Sequence, residues 1–284
     1  MPMKLRPPQR LRNLPLNTLA PNILTIIALC SGLTAIRFAM LGQFKFAVGA
    51  IAVAALFDML DGRVARLLKG ASRFGAELDS LSDFLSFGVA PAIVLYFWTL
   101  HDLGSGSTGW LFVLAYSVCT ALRLARFNTG LDETEKPQWT GSFFTGIPSP
   151  AGAGLALLFL IISLEVESDF FASPLLNGLW LLFTGGLMIS RVPTYSFKRV
   201  RVARDHVGFV LLGAGILAAA LLNQPWYTLA ALGIVYLGTI PFAMRAHEKL
   251  KRAEVRHAAP AASASAAAPP QPEDSAGRDG TILH

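Results

Sequence analysis

The stretch AALFDMLDGRVARLLKGASRFGAELDSLSDFLSF, residues Ala54–Phe87, carries four aspartates at the ends of two apolar segments joined by a short basic turn. Asp58 and Asp61 are three apart and Asp79 and Asp83 four apart, so each pair shares one face of a helix. The turn is too short for anything but an antiparallel hairpin, which brings both pairs to the same end. Carboxylates stacked in this way at a membrane boundary repel one another and are expensive unless a counter-charge or water meets them.

The surroundings of the stretch make that boundary a bilayer. Of 284 residues, 53% are hydrophobic and 15% charged, against about 25% charged in an ordinary soluble domain. Apolar runs long enough to cross a hydrocarbon core recur near Asn22–Met40, Phe44–Leu68, Leu81–Leu100, Trp110–Phe127, Ser149–Leu164, Pro174–Ile189, Val207–Leu222 and Trp226–Ala246. The expected fold is an all-α polytopic membrane protein of about eight transmembrane helices. Cys30 and Cys119 fall inside apolar runs and read as small core residues, not as a disulfide or metal pair. No cleavable signal peptide is evident at the basic, Pro-rich start.

The net charge of +6 follows the topology. Lys4, Arg6, Arg10 and Arg12 precede the first run; Arg63, Arg66, Lys69 and Arg73 lie between the second and third; Arg191, Lys198, Arg199, Arg201 and Arg204 follow the sixth. The alternate loops are nearly free of cations, with Arg37 and Lys45 as exceptions. The positive-inside rule therefore puts both termini and the aspartates in the cytoplasm, and the basic excess is directed at anionic membrane lipids and not at nucleic acid. Residues 251–284, rich in Ala, Pro and Ser from Ala258 onward, are expected to form a disordered cytoplasmic tail.

The chemistry that suits four convergent carboxylates is the holding of one or two hard divalent cations, Mg²⁺ or Mn²⁺, with phosphate oxygens completing the coordination. Gly62 and Ala65 lie on the Asp58/Asp61 face and are small enough for a nucleotide to approach. Arg66, Lys69 and Arg73 supply cations beside the carboxylates, and Ser72 and Gly75 a hydroxyl and a permissive backbone. Two blander readings compete: Asp–Arg pairing at a helix end, and a cation-transport pathway.

Written out, Asp58-xx-Asp61-Gly62-xx-Ala65-Arg66, eight residues, Gly75-xxx-Asp79-xxx-Asp83 resembles the signature of the CDP-alcohol phosphatidyltransferase family at every position. The resemblance implies a six-helix core over residues 21–200, preceded by a basic segment at 1–20 and followed by two further helices within 201–250. It implies metal binding by Asp58, Asp61 and Asp79, with Asp83 at the metal centre and acting as general base. It implies contact with the CDP-lipid through Gly62, Arg66 and Ser72. Pro21-Asn22-Ile23-Leu24-Thr25 is similar to the start of the family's first core helix and adds Asn22 as a nucleotide contact.

Three further stretches, Ala121–Asn128, Gly141–Ala153 and Arg191–Lys198, are similar to the branch of the family that uses L-serine as acceptor and CDP-diacylglycerol as donor. Arg123 and Arg126, three apart at the end of the fourth run, suit a clamp for the serine carboxylate; topology and lipid phosphates are their other use. Asn128, Ser142 and Thr145 are lesser acceptor candidates. The same chemistry with glycerol 3-phosphate, inositol or choline is the nearest rival. A bacterial inner-membrane location and a homodimer are further expectations of the resemblance.

Overall fold

The computed structural model describes residues 16–70, 72–104, 107–130, 143–166, 168–195 and 206–266. The chain divides into two units, Met1–Met244 and Arg245–His284.

The first unit is built from helices. α1 (Leu16–Met40) turns through Gly42 into α2 (Phe44–Leu67), and the two pack along most of their length. Ala28, Ala35 and Ala39 on α1 and Ala47 and Ala54 on α2 are all buried. Small side chains let membrane helices approach closely where no hydrophobic effect draws them together. α2 ends in a Schellman turn: Gly70 N–H donates to Ala65 O and Lys69 N–H to Arg66 O, with Lys69 in the left-handed position usually given to glycine (φ 50).

The next span is α3 (Arg73–Asp83), a π-helical turn (Phe84–Val89) and α4 (Ala90–Trp98) in continuous succession. Pro91 has no N–H to offer the carbonyl four residues earlier, that of Phe87. That carbonyl accepts from Tyr116 Oη at 3.0 Å, and Gly88 O accepts from Ser117 Oγ at 3.2 Å. Both donors lie on α5 (Ser107–Gly130), so the π turn is held from outside by the helix beside it. On the opposite side Ser82 Oγ and Ser86 Oγ donate to Thr25 O and Ala28 O of α1, each at 3.3 Å.

α6 (Ser149–Ala156) and α7 (Leu158–Ser163) are separated by Leu157, and α8 (Pro174–Ile189) packs on α5, with Trp180 Nε1 donating to Leu155 O. β1 (Phe143–Thr145) and β2 (Pro193–Tyr195) pair antiparallel, Phe144 opposite Thr194. No strand was expected from the sequence. α9 (Val207–Asn223) has no buried residue, whereas α10 (Pro225–Ala266) buries Ile240 and Ala243 in the first unit.

The chain is thus an all-α polytopic membrane protein with one small two-stranded pairing. Leu19–Met40, Arg73–Trp98, Ser107–Thr129 and Pro225–Lys249 are long and apolar enough to cross a membrane, and Pro174–Ile189 and Val207–Asn223 are shorter apolar helices. Three boundaries differ from the sequence reading. The third span begins at Arg73 instead of Leu81, because Ser72 caps it there. Ser149–Leu164 is interrupted at Leu157. Residues 251–266, assigned to the tail, continue α10 as helix; Ala, Glu, Lys and Arg favour helix without needing an apolar face. Residues 267–284 lie outside the described residues. Cys119 packs against Gly185 as a small core residue would, but Cys30 is exposed on α1.

Candidate active site

Asp58 and Asp61 come from the last three turns of α2 and Asp79 and Asp83 from the last two of α3. One carboxylate oxygen from each of Asp58, Asp61 and Asp79 lies within 4.8 Å of the others. Asp83 stands beside Asp58, outside that triad, with Asp79 and Arg123 as its other charged neighbours. Among the described residues no Lys or Arg comes within 4.0 Å of any of the four carboxylates. This disposes of the Asp–Arg pairing read as one possibility from the sequence: the arginines of the basic turn do not neutralise the cluster. Three hard oxygen donors converging without a protein cation are the donor set for a divalent metal ion.

One polar partner is internal. Thr25 Oγ1, buried on α1, donates to Asp61 Oδ2 at 2.7 Å and so orients that carboxylate. Thr25 was not singled out from the sequence, though it follows Asn22 by three residues and shares its helical face.

Beside the triad opens a cleft of about 150 Å³, lined by Pro21, Asn22, Thr25, Asp61, Gly62, Ala65, Gly70, Ser72, Gly75, Ala76 and Asp79. It gathers Asn22, Gly62, Ala65, Ser72 and Gly75 of the expected CDP-lipid residues; Arg66 is exposed and not in the lining. Ser72 has a local task as well: its Oγ accepts from Gly75 N–H at 3.0 Å as the N-cap of α3. Gly75 is required by close approach, since a Cβ there would fall 2.7 Å from Asn22 Oδ1 and 3.1 Å from Ser72 Oγ. At Gly62 a Cβ would meet no protein atom within 4 Å, so the space over it belongs to the cleft.

The expected acceptor residues separate. Arg123 is buried, with Nε donating to Ile147 O and Nη1 to Ser149 Oγ, and it neighbours Asp83. Arg126 is turned elsewhere: Nη1 donates to Ile189 O (2.8 Å) and Nη2 to Ser190 O (3.3 Å) and Met188 O (3.5 Å), which caps the C-terminal carbonyls of α8. Asn128 Nδ2 donates to Ser80 Oγ at 3.0 Å and ties α5 to α3. Thr145 is exposed on β1. Ser142 lies outside the described residues.

Stretches far apart in sequence meet here. The segments starting at Gly141 and Arg191 pair as β1 and β2, and Gly146 closes the pairing with its N–H on Val192 O (2.8 Å) and its carbonyl on Thr194 Oγ1 (2.9 Å). Gly146 adopts φ +80, and a Cβ there would lie 2.5 Å from Met188 O. Only glycine satisfies both demands.

The family model for CDP-alcohol phosphatidyltransferase matches residues 18–190, and a second, CDP-alcohol phosphatidyltransferase 2, matches residues 206–241. The chain is similar to the CDP-diacylglycerol–serine O-phosphatidyltransferase of Mycobacterium leprae, 42% identical over 224 residues that cover 79% of this chain and 74% of that protein. The enzyme of the same name from Mycobacterium tuberculosis is 39% identical over 230 residues, 81% of this chain and 79% of the relative. That of Helicobacter pylori strain 26695 is 33% identical over 190 residues, 66% and 77% of the two chains.

Proposed function

The chain belongs to the CDP-alcohol phosphatidyltransferase family, and from that premise we propose that it transfers the phosphatidyl group of CDP-diacylglycerol to the hydroxyl of L-serine, releasing CMP. The observation that carries the chemistry is the triad of Asp58, Asp61 and Asp79, unpaired with any Lys or Arg among the described residues, at the edge of a cleft lined by small residues. The names of the relatives support serine as the acceptor.

Asp58, Asp61 and Asp79 would hold Mg²⁺ or Mn²⁺, two ions in our reading, with Asp83 adjoining. The metal, when bound, neutralises the pyrophosphate and the charge that develops as the phosphoryl bond is exchanged. The chain's own residues do the rest. Asn22, Gly62, Ala65, Ser72 and Gly75 form the walls that receive the nucleotide, and the absence of bulk at Gly62 leaves room for it. Arg66, exposed one residue beyond Ala65 of the cleft wall, serves the incoming anion as a surface cation.

Asp83 accepts the proton of the serine hydroxyl as its oxygen bonds to the phosphorus that carries diacylglycerol. The bond from that phosphorus to the CMP oxygen breaks, and the electron pair leaves with CMP. Positioning and charge neutralisation supply most of the acceleration, as in other phosphoryl transfers. The basic residues that flank the hairpin, Arg63, Arg66, Lys69 and Arg73, favour a cytoplasmic site in a bacterial cell membrane.

Purified protein incubated with CDP-diacylglycerol, Mn²⁺ or Mg²⁺ and labelled L-serine should release CMP in step with labelled lipid, and EDTA should stop both. Labelled lipid formed only with glycerol 3-phosphate, inositol or choline would reassign the acceptor and keep the chemistry. Metal flux into liposomes without CMP release would remove the enzyme reading altogether.

A further inference from the structure

Tyr236 lies on α10, outside the residues matched by the main family model, and nothing in the hairpin signature points to it. Its hydroxyl is shut off from solvent and makes no hydrogen bond among the described residues. Beside it are Thr194 Oγ1, whose proton is already committed to Gly146 O at 2.9 Å, and the Arg123 guanidinium. Arg123 in turn spends Nε on Ile147 O and Nη1 on Ser149 Oγ, and its Nη2 has no hydrogen bond among the described residues. Two buried donors, one phenolic and one guanidinium, thus stand together, and the neighbouring hydroxyl oxygen, Thr194 Oγ1, does not meet the phenol at hydrogen-bonding geometry.

A buried hydroxyl left unmade is costly, and such groups are rare unless something else occupies the position. Arg123 also neighbours Asp83, the group that receives the acceptor's proton in the reaction proposed above. An amino-acid acceptor carries both a hydroxyl and a carboxylate, which suits a general base and a guanidinium standing as neighbours.

We infer that Tyr236 completes the acceptor subsite: its hydroxyl and Arg123 Nη2 together bind the carboxylate of the amino-acid acceptor, so that α10 sets acceptor specificity. The inference rests on the reading of this chain as an amino-acid-accepting phosphatidyltransferase. Placement explains why the residue is invisible in the hairpin signature, since it lies on α10, far along the chain. α10 is held near by Gly233, where a Cβ would lie 3.0 Å from Leu158 Cδ1 of α7, and by the burial of Ile240 and Ala243.

The test is Tyr236→Phe in the purified full-length enzyme, with CMP release followed against L-serine and, separately, against CDP-diacylglycerol. The KM for L-serine should rise about tenfold or more, as for a lost hydrogen bond to a charged group, while that for CDP-diacylglycerol stays unchanged. The thermal midpoint should be unchanged or higher, because the substitution removes a hydroxyl that the free enzyme leaves unsatisfied. L-Serinamide, which lacks the carboxylate, should be a poor acceptor for the wild type, and its disadvantage relative to L-serine should shrink in Tyr236→Phe.

An unchanged serine KM, or a lowered thermal midpoint with both KM values intact, would overturn the assignment and leave Tyr236 a packing residue. A wild-type enzyme that releases CMP only with acceptors other than amino acids would remove the underlying reading, and this inference with it. These failures are distinguishable because the second appears before any substitution is made.

Discussion

The acidic hairpin and the arginine-bearing side of the bundle are both rich in buried polar groups, yet they treat charge in opposite ways. At Asp58, Asp61 and Asp79 one hydroxyl, that of Thr25, meets one carboxylate, and no Lys or Arg among the described residues closes on the rest. Around Arg126 the opposite holds: three carbonyls at the end of α8 accept from one guanidinium. Gly146 and Thr194 bond each other's strands in the same thorough manner. Incomplete satisfaction marks where a ligand belongs, and complete satisfaction marks framework. Arg123 stands between the two, half bonded into the framework and half turned toward Asp83.

The sharpest way to break this contrast is to change charge without changing shape. Asp83→Asn should lower kcat by about 10²–10⁴-fold, the usual contribution of a general base, with no loss of thermal stability, since it removes one of four mutually repelling carboxylates. Substantial residual CMP release in that variant would move the base elsewhere. Next in size, Gly75→Ala should push Asn22 out of the cleft wall and raise the KM for CDP-diacylglycerol by about tenfold, one hydrogen bond's worth, leaving the serine KM alone. A change confined to serine would mean the cleft is not the nucleotide's.

On the framework side Arg126→Ala should cost stability and spare chemistry: about 2 kcal/mol for lost charge-assisted bonds, read as a fall in detergent-solubilised thermal midpoint, with the serine KM little altered. A large rise in serine KM at full stability would return Arg126 to the acceptor site. The smallest effect is expected at the Schellman turn, where Lys69→Gly should stabilise by about 1 kcal/mol by relieving a left-handed non-glycine residue, with turnover unchanged.

The two regions also differed in how legible they were. Spacing alone placed Asp58 with Asp61 and Asp79 with Asp83 on common helical faces, because helical periodicity is local and a short turn leaves one way to fold. Asn22 came from likeness and Gly75 from its permissive backbone in the loop, and their close approach, which leaves no room for a Cβ at Gly75, is a fact of tertiary packing no spacing reports. Spacing offered Arg126 for an acceptor clamp or for topology, and could not report the carbonyls of Met188, Ile189 and Ser190 that it bonds, which lie about sixty residues on, a distance no helical period spans. The strands were missed because each has three residues, too few to show alternation. The early start of α3 was legible in principle: Ser72 before a helical run is an N-cap signal, outweighed by reading apolar length instead. The π turn after Asp83 was half legible, since Pro91 announces a freed carbonyl but not the tyrosine that meets it.

The β1–β2 pairing sets an order of events during synthesis. The acid cluster is encoded by Asp83, whereas the arginine side cannot close until Tyr195 has left the ribosome, roughly 5–20 seconds later at ordinary elongation rates. For that interval a nascent chain holds an acidic hairpin whose arginine-bearing neighbour does not yet exist. Assembly is vectorial, and a later-made portion decides when the first-made portion is enclosed.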